Sequence, residues 1–349
     1  MLPLRVTRLP GEATSQFIWT TILLGLMLGM VLDVCGAEEA ANHQDESLEK
    51  ETAIPLGDIR GRIDHLAIDV PRQRLYVAEL GNDTVGVVDL EERKTIRTLT
   101  GLKEPQGIAY VPASDTVYVA NAGDGSVRLF RGADSTPAGQ IALGSDADNV
   151  RVNDDGSRVF VGFGDGALAV IDATTQRKIE EIPLKAHPES FRLERSGPRI
   201  FVNVPDAHVI TVVDRASNKE IASWQTGNLR ANFPLALDDS GHVLAVFRHP
   251  AKIGVFQAKD GRLLSSFDTC GDSDDVFIDA KRHRLYVICG EGFIDTFAQD
   301  GDVFRRIARL TTVGGARTGF FSPDTDRLYL AVRATLGHPA SVWVLRPVS

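Results

Sequence analysis

The tetrapeptide Arg74-Leu75-Tyr76-Val77 returns six times down the chain. The copies are Thr116-Val117-Tyr118-Val119, Arg158-Val159-Phe160-Val161, Arg199-Ile200-Phe201-Val202, His242-Val243-Leu244-Ala245, Arg284-Leu285-Tyr286-Val287 and Arg327-Leu328-Tyr329-Leu330. Their third residues fall at 76, 118, 160, 201, 244, 286 and 329, in steps of 41 to 43. Chance matches do not hold phase along a whole chain, so the repeat is the structural unit.

Each copy sits in the same local grammar. An alternating run such as Leu66-Ala67-Ile68 comes first, then a turn rich in Pro, Asp or Gly, then the aromatic strand. A Gly/Asn/Asp turn leads to a third strand, which ends in Asp at Asp89, Asp172 and Asp214, and a weaker fourth strand closes the unit. Alternation of period two, broken by turn chemistry, specifies strands joined by hairpins. Four short strands per unit of about 42 residues describe a propeller blade. A lone blade cannot cover both of its faces, so the aromatic positions are expected between blades, where each buried side chain is worth roughly 1.5–3 kcal/mol. The expected fold is all-β: a seven-bladed β-propeller of four-stranded antiparallel blades over residues 52–349. The seventh copy ends at its third strand, Val342 to Leu345, while Ala53-Ile54-Pro55-Leu56-Gly57 matches the blade-ending Gln140-Ile141-Ala142-Leu143-Gly144. The ring is therefore expected to close with an N-terminal outer strand.

The N-terminus reads as a targeting segment. Phe17 to Leu32 is apolar and uncharged, Arg5 and Arg8 precede it, and Cys35-Gly36-Ala37 supplies small residues at the cleavage positions. Residues 1–37 are expected to be a signal peptide, with an uncleaved anchor as the alternative, and 38–51 an acidic, disordered leader. The protein is therefore expected to be periplasmic or secreted after cleavage, with no membrane association expected beyond the signal segment. Net charge is −9, and removing residues 1–37 takes away Arg5 and Arg8 together with Glu12 and Asp33, which leaves it unchanged. Such a field repels nucleic acid. Two cysteines remain after the signal, Cys270 and Cys289, flanking the first two strands of blade 6. Their strand ends share a face, so a disulfide is expected.

RLYVAELGNDTVGVVD (74–89) and TVYVANAGDGSVRLF (116–130) resemble the YVTN-repeat β-propeller family of YncE-like exported proteins, over about residues 53–347. The resemblance implies the propeller fold and leaves the activity open, because similar propellers include exported binding proteins, lactonases, streptogramin lyases and heavy subunits of quinoprotein amine dehydrogenases. Blades 5 to 7 depart from the pattern, as in FRHPAKIGVFQ, CGEGFIDTF and VRATLGHPASVWV.

Phase also locates a site. Twelve residues before each aromatic position come Asp64, Gln106, Asp148, Glu189, Asn232, Asp274 and Arg317, and one position later His65, Gly107, Asn149, Ser190, Phe233, Asp275 and Thr318. Inner strands start there, so these side chains are expected at one mouth of the central channel. His187, Arg230, Arg248 and Arg333 lie in loops opening on the same face, with Glu79 and Asn121. Polar mouths are common because they are wet. A ring rich in oxygen ligands also suits Ca²⁺ or another divalent cation, with Asp148, Asp274 and Asp275 as candidate ligands, while the arginines suit an anionic group. His242 and His283 sit in turns and are expected to be solvated.

No cofactor motif is present: CxxCH, GxxxxGK[ST], HExxH and GxSxG are all absent. The expected function is a monomeric, non-catalytic protein that binds a small molecule, metal or partner protein at its mouth. The alternatives are a metal-assisted hydrolase or lyase of lactonase type, and an accessory subunit of a periplasmic quinoprotein or cytochrome oxidoreductase.

Overall fold

The computed structural model describes residues 47–348. These form seven four-stranded antiparallel sheets. Six are contiguous in sequence: blade 1 (66–99), blade 2 (105–142), blade 3 (147–183), blade 4 (191–225), blade 5 (230–268) and blade 6 (273–311). The seventh combines 319–347 with Leu48–Pro55, which pairs as the outermost strand along the last strand, Ile54 opposite Val342 and Leu48 opposite Pro347.

This strand begins earlier than expected. Leu48 to Glu51 belong to it rather than to a disordered leader, because burial reaches back to Ser47. Ser47 Oγ hydrogen-bonds Thr296 Oγ1 at 2.7 Å, and Leu48 packs with Tyr286, Ile288 and Leu345. The expected signal segment and residues 38–46 lie outside the described residues. Among the described residues, no helix is long and apolar enough to cross a membrane.

The repeat positions do what the pattern requires. Tyr76, Tyr118, Phe160, Phe201, Leu244, Tyr286 and Tyr329 are each at most 3% exposed. Each joins its own blade to the next: Tyr76 meets Val117 and Val119, Phe201 meets Val243 and Ala245, and Tyr329 meets Leu75 and Val77. Burying both faces of every sheet against its neighbours replaces the single core that a chain of this length could not build.

On the face opposite the inner-strand starts, buried aspartates clamp neighbouring blades. Arg72 Nη1 lies 2.7 Å from both Asp69 and Asp115, and Arg282 Nη1 lies 2.9 Å from Asp279 and 2.7 Å from Asp326.

Candidate functional site

The inner strands of blades 2, 3, 5 and 6 all slip register near their first residues, between Pro105 and Ile108, Ala147 and Val150, Asn232 and Leu235, and Ser273 and Asp275. Bulges of this kind redirect side chains, and here they occur at the positions phasing assigns to the mouth. Gly107 shows how tightly these turns pack, since a Cβ there would come within 2.1 Å of the Asp148 carbonyl oxygen.

Asp64, His65, Asp274 and Asp275 form one side of the mouth together with Arg248 and Arg317. His65 Nε2 is 3.6 Å from Asp64 Oδ1, and its Nδ1 is 3.6 Å from Asp275 Oδ2, so the imidazole of blade 1 bridges to blade 6. Burial alone would depress the His65 pKa, but Asp275, Asp64 and Asp148 outweigh it and push it up to about 9. Asp64 is buried, which raises its pKa, and Arg62 Nη2 holds it at 2.8 Å. Asp274 is gripped by Arg248 Nη2 at 2.7 Å and Arg317 Nε at 2.8 Å; burial still drives it up to about 7. Arg248 also stacks 3.8 Å above the Phe233 ring, and Arg317 reaches Asp272 at 3.1 Å.

The other side holds Asp148, His187 and Glu189. His187 Nδ1 is 2.6 Å from the Gly164 carbonyl and its Nε2 is 3.9 Å from Asp148 Oδ2. Burial opposes its charge, but Asp148, Gly164 and Asp146 carry its pKa up to about 9. Glu189 makes no side-chain hydrogen bond among the described residues, and burial with the charges of Asp148 and Asp274 pushes it up to about 8. Asp148 is 6% exposed, and its Oδ1 is buried without a hydrogen-bond partner among the described residues.

Several expected site residues point elsewhere. Arg230 turns back to donate to the Gly227 and Leu229 carbonyls. Asn232 is fully buried between blades 4 and 5, donating to Asn203 Oδ1 and the Val209 carbonyl at 3.0 Å each. Glu79 folds onto Gly86 in its own hairpin, with Thr84 Oγ1 at 2.6 Å, and Asn121 caps the Lys103 amide. Arg333 lies over Gly315, and Gln106 is half-buried with no side-chain hydrogen bond among the described residues. His242, expected to be solvated, is buried between Asp238 (2.7 Å) and Asp302 (3.0 Å). The metal set does not assemble either. Asp274 is taken by two arginines, and Asp275 by His65 and the Gly319 amide at 2.9 Å. No group of three or more His, Cys, Asp or Glu among the described residues is placed to hold an ion. Cys270 and Cys289 are joined by a disulfide, with Cα atoms 5.8 Å apart.

The chain has a seven-bladed β-propeller fold. Many solved structures share it. One chain of the structure titled "Crystal Structure of Mitotic Checkpoint Complex" superposes with a TM-score of 0.73 at 14% identity, covering 93% of this chain and 100% of that one. A likeness at that identity extends to the fold alone. No protein-family model matches the chain, and no curated protein matches its sequence.

Two functional candidates escaped the sequence reading. Arg151 and Arg192 occupy equivalent positions on the inner strands of blades 3 and 4, opposite Phe160 and Phe201. Arg151 lies 5.7 Å above the Phe191 ring and donates to Asn149 Oδ1 at 3.0 Å, and Arg192 donates to Ser190 Oγ and the Phe191 carbonyl. Carrying the phase comparison three residues further along each inner strand exposes them: the series reads Ala67, Ala109, Arg151, Arg192, Leu235, Phe277, Phe320.

Proposed function

We propose that this protein is an exported, non-catalytic binding propeller of the YVTN-repeat, YncE-like kind, acting in the periplasm or outside the cell. Its mouth takes a small ligand by a positively charged nitrogen seated between Asp148 and Glu189. The observation that carries this reading is the buried Oδ1 of Asp148, unpartnered among the described residues, near a half-buried Glu189 whose carboxyl makes no hydrogen bond among them. Buried acceptors left unpaired cost free energy that a donor recovers. The opposite side of the mouth is matched by Arg248, Arg317 and His65; on this side His187 stands 3.9 Å from Asp148 Oδ2 and leaves Oδ1 without a donor, so a second cation has a place there.

Glu189, raised to about 8, is mostly protonated at neutral pH. A bound cation favours its ionised form and expels the proton. Titration calorimetry with 1,4-diaminobutane tests this. At pH 7 we expect saturable binding whose heat changes with the ionisation enthalpy of the buffer. Asp148→Asn should weaken binding by roughly tenfold or more, and Glu189→Gln should abolish the buffer dependence. No saturable heat, or binding indifferent to both substitutions, refutes the reading.

A further inference from the structure

A second pocket opens on the face opposite the mouth. It is a cavity of about 650 Å³, within the range of small-molecule sites. The inner strands of blades 4 to 7 line it: Arg192, Val276 and Phe277 stand mid-strand, while Asp238, Asp279 and Pro323 mark its rim at the strand ends. Between them stand Leu193, Leu237, Ile278 and Phe321, while the lining also carries Asp239 and four carboxylates already paired within the chain, Glu194 with Arg199, Asp238 with His242, and Asp279 and Asp326 with Arg282. Inside this charged rim an apolar stretch leads inward to a guanidinium.

That guanidinium lacks a counter-ion. Neither Arg192 nor Arg151 makes an ion pair among the described residues; their hydrogen bonds go to main-chain carbonyls and to the neutral Ser190 and Asn149. Arg151 leans over Phe191, the residue preceding Arg192, so two like charges from adjacent blades share one stretch of channel. Burial, with the nearby charge of Arg151, lowers the Arg192 pKa to about 9 against the opposing pull of Asp275. Positive groups held together without a counter-ion are the ordinary makings of an anion site, and guanidinium forks fit a carboxylate.

We propose that this cavity binds a small amphiphilic carboxylate, its head on Arg192 with Arg151 behind it and its apolar body along Phe277, Leu237 and Phe321. The site is separate from the amine seat at the mouth and does not rest on that assignment.

Calorimetry on the whole protein with octanoate and with acetate tests it. Octanoate should bind saturably and much more tightly than acetate, by roughly fourfold for each methylene buried. Arg192→Gln should weaken octanoate on the order of tenfold to a hundredfold. If that variant fails to fold, Arg192→Lys, which keeps the charge but loses the fork, should show the same loss in smaller measure. The proposal is overturned if octanoate does not bind the wild-type protein, if it binds no better than acetate, or if the folded Arg192 variant binds it as before. Failure with octanoate alongside normal 1,4-diaminobutane binding sinks this site and leaves the mouth untouched.

Discussion

The ring is held shut by eight residues from the N-terminal side, and Ile54 is where that closure can be measured. Ile54 is fully buried in the cluster joining blade 7 (Tyr329, Val342, Val344) to blade 1 (Leu66, Leu75, Val77). Leu48, at the other end of the same strand, packs into the cluster between blades 6 and 7. One strand therefore staples three blades. Truncating a buried isoleucine to alanine costs about 2–5 kcal/mol, transfer and cavity together. Unfolding entropy is about 2.1 cal/mol/K per residue, which for the roughly 300 described residues gives about 0.6 kcal/mol/K. Ile54→Ala should thus lower Tm by about 3–8 °C in differential scanning calorimetry. Ala53→Ser, on the exposed face of the same strand, is the control and should shift it by less than about 1 °C. If the two variants melt together, the closure described here does not hold the ring, and the N-terminal strand is an ornament on an already complete sheet.

Three further outcomes are expected. The Cys270–Cys289 disulfide spans 19 residues, and the chain-entropy model assigns such a loop about 3 kcal/mol; reduction, or a double Cys→Ser variant, should lower Tm by about 5 °C, and an unchanged melting curve contradicts this. Stability should fall as pH rises from 6 to 9. His65 and His187 are raised from 6.5 to about 9, so their contribution is complete below 6.5 and lost as pH climbs through 9, while Glu189 (about 8) and Asp274 (about 7) are raised carboxyls whose ionisation is penalised in the native state. A Tm that rises over this interval rejects the assignment. Asp326, held well below the usual carboxylate range by Arg282 and Lys281, contributes above its ordinary pKa and loses that contribution as pH falls through the depressed one; Asp326→Asn should cost about 1 kcal/mol at pH 6 in denaturant titration, discounted for its partial exposure, and progressively less as pH falls below about 4.

The repeat carried nearly all of the architecture, because a position that recurs every 41 to 43 residues is read seven times over. Tyr76 and Tyr329 are legible as interface residues for that reason, and the three-stranded last repeat ending at Leu345 implied its missing strand. The start of that strand was not legible: Leu48 is a single apolar residue in an acidic stretch, and only its partners on blades 6 and 7 show that it is buried. At the mouth, phasing brought Asp64, His65, Asp274 and Asp275 together correctly. It misplaced Arg230 and Asn232 because spacing along a strand says nothing about which way a side chain leaves a bulge. Asn232 opposes Phe247, just before the register slips, and its amide is spent between blades.

Where the blades differ at one register position, the difference separates what the fold needs from what it does not. At the place held by Arg151 and Arg192, three other blades have Ala67, Ala109 and Phe277. The ring accepts a methyl or a phenyl there, so packing does not demand a cation. Burying one without an ion pair costs free energy that an apolar residue of similar volume would not, and placing two side by side adds repulsion. Both arginines are half-buried and make no ion pair among the described residues; Asp275 acts on both, and Asp148 on Arg151, from outside ion-pair distance. The same logic distinguishes Asp148 from Asp274. Both are carboxylates at one register position, but Asp274 is matched by two arginines of its own chain, whereas Asp148 keeps an oxygen buried and unmatched. Symmetry builds the scaffold; the unpaired oxygen of Asp148 and the two arginines without an ion pair among the described residues are what this chain adds to it.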